Sequence, residues 1–339
     1  MRFGPVPLDQ APGTVLAHSH PLPGGGRLRK GRRLTDADIA ALRAAGAEHV
    51  TVARLDDGDI DEDAAAQALA RALVPDPGAA GLELQAVGTG RVNVIAAQAG
   101  LARVDAEAVH ALNTIDPAIT LATVPPWHRM EPGGMVATVK IIAYAVPGAA
   151  LNTACAAGQG ALSLRRPVMR RAALIETVVG AGPAAPPGDK GWRVTADRLA
   201  RLGVELDAAR HVPHAEAPLA RAITEAARAG AELVLILTGS ATSDSHDVAP
   251  QALRQAGGQV AHYGMPVDPG NLLFLGDIKG LPVVGLPGCA RSPALNGADW
   301  VIERLICGVP VDGAAIMRMG VGGLLKEIPQ RPRPRRQTG

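Results

Sequence analysis

The residues of this 339-residue chain that could do chemistry gather in two short stretches. The first reads Leu237-Thr-Gly-Ser-Ala-Thr-Ser-Asp-Ser-His-Asp247. It follows a continuous apolar run and precedes a helical pattern over 247–256. It is dense in small hydroxyls and carries two carboxylates, Asp244 and Asp247. Gly239 lets the backbone turn sharply, and amides at the start of the following helix suit an anion such as a phosphate. Thr238, Gly239, Ser240 and Thr242 are therefore candidates for cradling phosphate. Asp247, with Asp244, is a candidate for holding Mg²⁺ or orienting a ligand. A plainer reading makes Asp247 the helix N-cap, with Pro250 in the first turn, and spacing alone favours it.

The second stretch reads Gly285-Leu-Pro-Gly-Cys-Ala-Arg-Ser-Pro293 and also joins an apolar run to a helical one. Gly288 permits close ligand approach, and Arg291 and Ser292 can contact phosphate. The plainer reading is an ordinary strand-to-helix loop with Pro293 in the first helical turn. Cys289 has no base partner in view and reads as a small packing residue rather than a nucleophile. Between the stretches, Tyr263-Gly-Met-Pro-Val-Asp-Pro-Gly-Asn271 is a rigid connector, whose Asp268 and Asn271 serve equally as turn formers or pocket lining. His18-Ser-His20 and His211-x-x-His214 have chelating spacing but no third ligand, so loop or surface roles are expected. The GxGxxG and GxxxxGK[ST] phosphate loops are absent, which argues against ordinary dinucleotide-binding or ATPase chemistry.

The elements that position these residues follow from periodicity and punctuation. A small α+β segment over 1–78 holds a strand at 15–17, a helix capped by Thr35 and stopped by Gly46, a strand at 49–53 and an Ala-rich helix at 61–73. A β-rich segment over 79–165 holds strands at 92–95, 120–124 and 135–142 and one helix at 106–112. The third segment, 166–326, alternates strands at 172–178, 204–206, 233–237 and 282–286 with helices at 217–229, 247–256 and 294–307. A loop over 180–191 leads to a further helix with Thr195 as N-cap and Gly203 as stop. This alternation predicts a three-layer α/β/α domain on a mainly parallel sheet, with ligands at the carboxyl ends of its strands. The remaining residues, 327–339, are a Pro/Arg tail that cannot build a core.

Composition sets the frame. The chain is 47% hydrophobic, 19% charged and only 2% aromatic, so aliphatic residues must fill its cores. A net charge of +2 argues against a large nucleic-acid footprint. Three scattered cysteines favour a reducing compartment over a disulfide framework. Residues 1–10 show no secretory h-region. No stretch approaches the roughly 18–20 apolar residues of a membrane helix. A cytoplasmic protein is expected.

The motifs themselves resemble a known family. Thr238-Gly239 followed by Asp247-Val-Ala-Pro-Gln-Ala-Leu253 resembles the molybdopterin adenylyltransferase pattern TGG-T-G-x-x-x-x-D-V-T-P-E-A. Met265-Pro-Val-Asp-Pro-Gly-Asn, with Gly280-Leu-Pro-Val-Val-Gly-Leu-Pro-Gly-Cys-Ala-Arg-Ser, resembles the molybdopterin molybdotransferase pattern M-K-P-G-K-P, then G-x-P-V-F-G-L-P-G-N-P-x-S. The two motifs cover the third segment, about half the chain. The front of the chain is similar to a subgroup in which this module is followed by a cytidylyltransferase-like domain. The resemblance implies a molybdopterin ligand, Mg²⁺, and a transferase acting at metal insertion or nucleotide attachment. It also implies a cytidylyltransferase or molybdoenzyme partner and a homo-oligomer. Several positions depart from the pattern. Ser240 replaces the second glycine of TGG, Thr242-Ser-Asp244 lacks the next one, and Cys289 replaces an asparagine. Thr177-Val-Val-Gly180 stands where molybdotransferases carry TGDE, so Asp189 and Lys190 become substitutes for part of that function. Lys190 and Lys140 are further candidates for neutralising phosphate or molybdate. Two alternatives stay open: a non-catalytic cofactor carrier of the same fold, and an unrelated nucleotidyltransferase on a doubly wound sheet.

Overall fold

The computed structural model describes residues 1–180, 189–268 and 270–325. Most of the expected 180–191 loop, and the tail over 327–339, lie outside the described residues. The chain divides into two compact units, Met1–Gln98 with Ala102–Leu164, and Ala99–Leu101 with Arg165–Gly339.

The N-terminal unit holds two clusters of apolar side chains. In one, strands Arg2–Pro7, His49–Arg54 and Val15–Leu16 form an antiparallel sheet. The helix Asp36–Ala44 begins with a capping box between Thr35 and Asp38. Val6, Leu16, Leu34, Leu42 and Val52 fill this cluster. In the other, an antiparallel sheet runs Ile119–Thr123, Met135–Ile141, Arg91–Ala96, Leu82–Gly88. The helix Glu62–Leu73, capped by Asp61, buries Leu69 and Leu73 in the same cluster as Val94 and Val139. The strand Leu82–Gly88 and the helix Gly148–Ala157 were not legible in the sequence. The first is a mostly exposed edge strand and the second a run of small residues with little periodicity.

The C-terminal unit is built on a seven-stranded mixed sheet, ordered Glu205–Leu206, Arg171–Val178, Leu233–Leu237, Leu281–Leu286, Asn271–Ile278, Gln259–Met265. The seventh strand, Arg210–Pro213, also pairs with Arg171–Val178. The strands from Glu205–Leu206 through Leu281–Leu286 pair in parallel. Asn271–Ile278 and Gln259–Met265 add an antiparallel edge. Leu233–Leu237 is buried at every position, as a strand covered on both faces must be. Helices Glu216–Arg228 and Val248–Gln255 pack on one face, with Leu219, Ile223 and Leu253 against Ile236 and Phe274. Lys190–Ala200 and Gly297–Ile306 are tied to each other through Arg198 and Asp299. The expected α/β class is the observed one.

Three local expectations are corrected. The helix expected to start at Thr195 begins at Lys190, and Thr195 is only 2% exposed in its middle. Gly191, Thr195 and Leu199 recur every four residues, so Thr195 belongs to the buried face and not to a cap. The last long helix starts at Gly297, behind an Asn296–Asp299 capping box, three residues after the expected position. Pro293 therefore lies outside it, and Gly288–Arg291 forms a single 3-10 turn instead. The connector around Met265 is flanked by two strands, where only turn chemistry was foreseen.

Candidate functional site

Both chemistry-rich stretches leave neighbouring parallel strands, Leu233–Leu237 and Leu281–Leu286, on the same carboxyl edge of the sheet. They line one cavity of about 110 Å³ with Thr238, Gly239, Ser240, Ala241 and Thr242 on one side and Pro287, Gly288 and Arg291 on the other. Leu272 and Leu286 form its apolar floor. The two loops are joined directly, because Arg291 Nη2 donates to the carbonyl of Thr238 at 2.8 Å. Among the described residues, the amides of Ser240, Ala241 and Gly288 make no backbone hydrogen bond. All three residues are exposed, so their amides are free to donate to an oxyanion in the cavity.

A second layer holds these loops. The Gly239 amide donates to Thr177 Oγ1 at 2.8 Å, and Thr177 Oγ1 shares a 2.8 Å hydrogen bond with His214 Nδ1. A side chain at 239 would fail, since a Cβ there would stand 2.6 Å from the Thr177 carbonyl oxygen. The Gly288 turn is fixed from below by Arg198, which pairs with Asp299 and donates to the carbonyls of Ala290, Ser292 and Ala294. Tyr263 donates its hydroxyl to the Thr242 carbonyl at 2.8 Å.

The remaining expected residues divide. Asp247 is the helix N-cap: Oδ1 accepts from the Val248 amide at 2.7 Å and Oδ2 from the Ser243 amide at 2.9 Å. Asp244 is exposed, and the amide and ring of His246 hold its carboxyl below the usual range. No cluster of three or more His, Cys, Asp or Glu among the described residues could hold a metal. Asp247 is thereby engaged by two amides and has no cluster of further ligands around it among the described residues, so the residues present do not build a Mg²⁺ site. Asn271 is 5% exposed and heads the strand beside Leu281–Leu286, with Leu272 rather than Asn271 reaching the cavity. Asp268 sits in a left-handed turn at φ 45° and its amide donates to Gly323 O. Cys289 lies within the Gly288–Arg291 turn and Ser292 follows it, and neither lines the cavity. Lys190 is exposed at the start of its helix, after Asp189. Lys140 lies in the N-terminal unit, where it pairs with Glu62 and donates to the Thr89 carbonyl. His18 packs edge-on to Phe3, with ring centroids 6.3 Å apart.

Residues 188–306 match the family described as "Probable molybdopterin binding domain". The C-terminal unit carries a molybdopterin-binding domain. The molybdopterin-binding domain links the chain to molybdenum-cofactor biosynthesis, and the whole cavity falls within it. Residues 5–54 match a domain of unknown function. No curated protein matches the chain. Among solved structures, the molybdopterin biosynthesis moea protein from Pyrococcus horikosii is 16% identical, with 91% of this chain and 76% of that chain covered and a TM-score of 0.32. The tungsten cofactor synthesizing protein MoaB from Pyrococcus furiosus is 17% identical, covering 41% of this chain and 92% of that chain at a TM-score of 0.31. Molybdenum cofactor biosynthesis protein B is 13% identical, covering 41% and 88% at a TM-score of 0.29.

Sequence reasoning missed Arg198 and Glu176, and it named Thr177 and His214 only in other roles, Thr177 in the altered TGDE position and His214 as half of a chelating pair. Glu176 had a visible signal, as the one acidic residue inside an otherwise apolar strand pattern. Thr177, His214 and Arg198 act through contacts 37 to 101 residues distant in sequence, which no local pattern encodes.

Proposed function

We propose that the C-terminal unit binds molybdopterin by its phosphate, between the Ser240 and Gly288 loops, during molybdenum-cofactor biosynthesis. The observation that carries this reading is the shared cavity, closed by the Arg291–Thr238 hydrogen bond. Exposed amides, the Ser240 and Thr242 hydroxyls and one guanidinium present donors and positive charge to a dianion. The proposed step is metal insertion or nucleotide attachment to the bound cofactor.

Two observations favour a carrier over an enzyme within this reading. Asp247 is committed to a helix cap. Val179 and Gly180 stand where the resemblance calls for an acidic pair. A carrier binds molybdopterin but releases no pyrophosphate from ATP or CTP and inserts no molybdate. Titration of purified molybdopterin into wild-type and Arg291→Ala protein tests the site. Removing a charge-assisted hydrogen bond of about 1.5–3 kcal/mol should weaken binding roughly tenfold or more. Equal affinity of the two proteins rejects the phosphate cradle. A pyrophosphate-release assay then separates enzyme from carrier.

A further inference from the structure

Glu176 lies at the carboxyl end of Arg171–Val178, level with Leu237, immediately before the Thr238 turn. It is 4% exposed, and among the described residues its Oε1 has no hydrogen-bond partner. It stands on the sheet face away from the Glu216–Arg228 helix, because its neighbour Ile175 packs with that helix and strand side chains alternate. There it meets Gly191, where an added Cβ would come 2.6 Å from Oε1. Burial pushes its carboxyl above the ordinary carboxylate range, with His211 and Arg291 opposing. A buried acceptor without a donor costs stability. Among the described residues, no His, Cys, Asp or Glu completes a metal-holding cluster with it.

We infer that Glu176 is a ligand-contact residue whose carboxyl accepts N–H donors from the ring end of the ligand, remote from the phosphate. This rests on the proposed molybdopterin reading and assigns that ligand's second subsite. Glu176 is one strand from the Thr238 loop and two from the Gly288 turn, so its backbone lies about 5–10 Å along the sheet from the anion cradle, behind the residues that line the cavity. A fused-ring ligand bridges such a span. Two carboxylate oxygens side by side match the paired N–H groups of an amino-substituted pyrimidinone ring better than a lone hydroxyl.

The experiment compares wild type, Glu176→Leu and Glu176→Gln with two probes, purified molybdopterin and inorganic phosphate competing against it. Leu removes the acceptor and fills the same space; Gln keeps one acceptor oxygen. The expected result is molybdopterin affinity lowered at least tenfold by Leu and less by Gln, with phosphate affinity unchanged and melting temperatures no lower than wild type. Unchanged molybdopterin affinity in Glu176→Leu overturns this inference alone. Parallel loss of phosphate affinity would also overturn it, because the residue would then be shaping the cradle. Failure of the wild type to bind molybdopterin removes the functional reading and this subsite with it.

Discussion

Replacing Arg198 by Met removes the guanidinium that fixes the Gly288 turn while keeping most of the stem. Arg198 and Asp299 side chains are each 9% exposed and lie 2.5 Å apart. Removing one member of a buried pair costs about 3–5 kcal/mol, because a charge is left without its partner. Asp299 would still accept from the Asn296 amide at 2.8 Å, which places the expected loss near the lower end, about 3 kcal/mol. For a unit of this size that corresponds to a fall of roughly 6–12 °C in melting temperature. The carbonyls of Ala290 and Ser292 lose their donor in the same step, so the turn carrying Gly288 and Arg291 should loosen. Urea denaturation followed in parallel with phosphate competition measures both effects. The double variant Arg198→Met, Asp299→Asn should recover part of the stability, since the uncompensated charge is gone. A loss below about 1 kcal/mol would show that Arg198 is not a buried anchor. Full stability loss with unchanged phosphate affinity would separate the anchor from the site.

Gly239→Ala places a methyl 2.6 Å from the Thr177 carbonyl, so the turn must move. It should destabilise by about 1–3 kcal/mol and weaken molybdopterin binding, read by melting and titration; wild-type behaviour in both would contradict the close approach. Asp247→Ala removes a cap that accepts from two amides and should cost about 1–2 kcal/mol. Adding Mg²⁺ or a chelator should leave molybdopterin affinity the same in wild type and variant, and a Mg²⁺-dependent difference would restore the metal role. Burial pushes the Glu176 carboxyl above its ordinary range, with His211 and Arg291 opposing weakly. A raised folded pKa means its contribution is fully present below the unfolded value near pH 4 and is lost as pH rises through the folded value. Glu176→Leu should therefore gain more stability over wild type at pH 8 than at pH 4, by denaturation at both, and an equal difference would show the carboxyl is not desolvated.

Strands with both faces covered and helices with strong caps were legible because their causes are local. The all-apolar Leu233–Leu237, the Thr35–Asp38 capping box and Asp247 heading its helix each announce themselves within a few residues. So did the two loops, since glycines and hydroxyls at a strand exit are a local signature. The antiparallel strands around Met265 were illegible because their pairing partners, not their own pattern, stabilise them.

The sequence by itself determined the alternation of strand and helix and the residue types at each exit, through propensity, capping and hydrophobic period. Tertiary structure alone decided that the Ser240 and Gly288 loops face one cavity, that Arg291 reaches Thr238, and that Thr177, Arg198 and Glu176 stand behind them. Strand order brings together residues 53 to 94 positions apart. That order is settled by which apolar faces can be buried against each other, a property of the whole unit and not of any window along the chain.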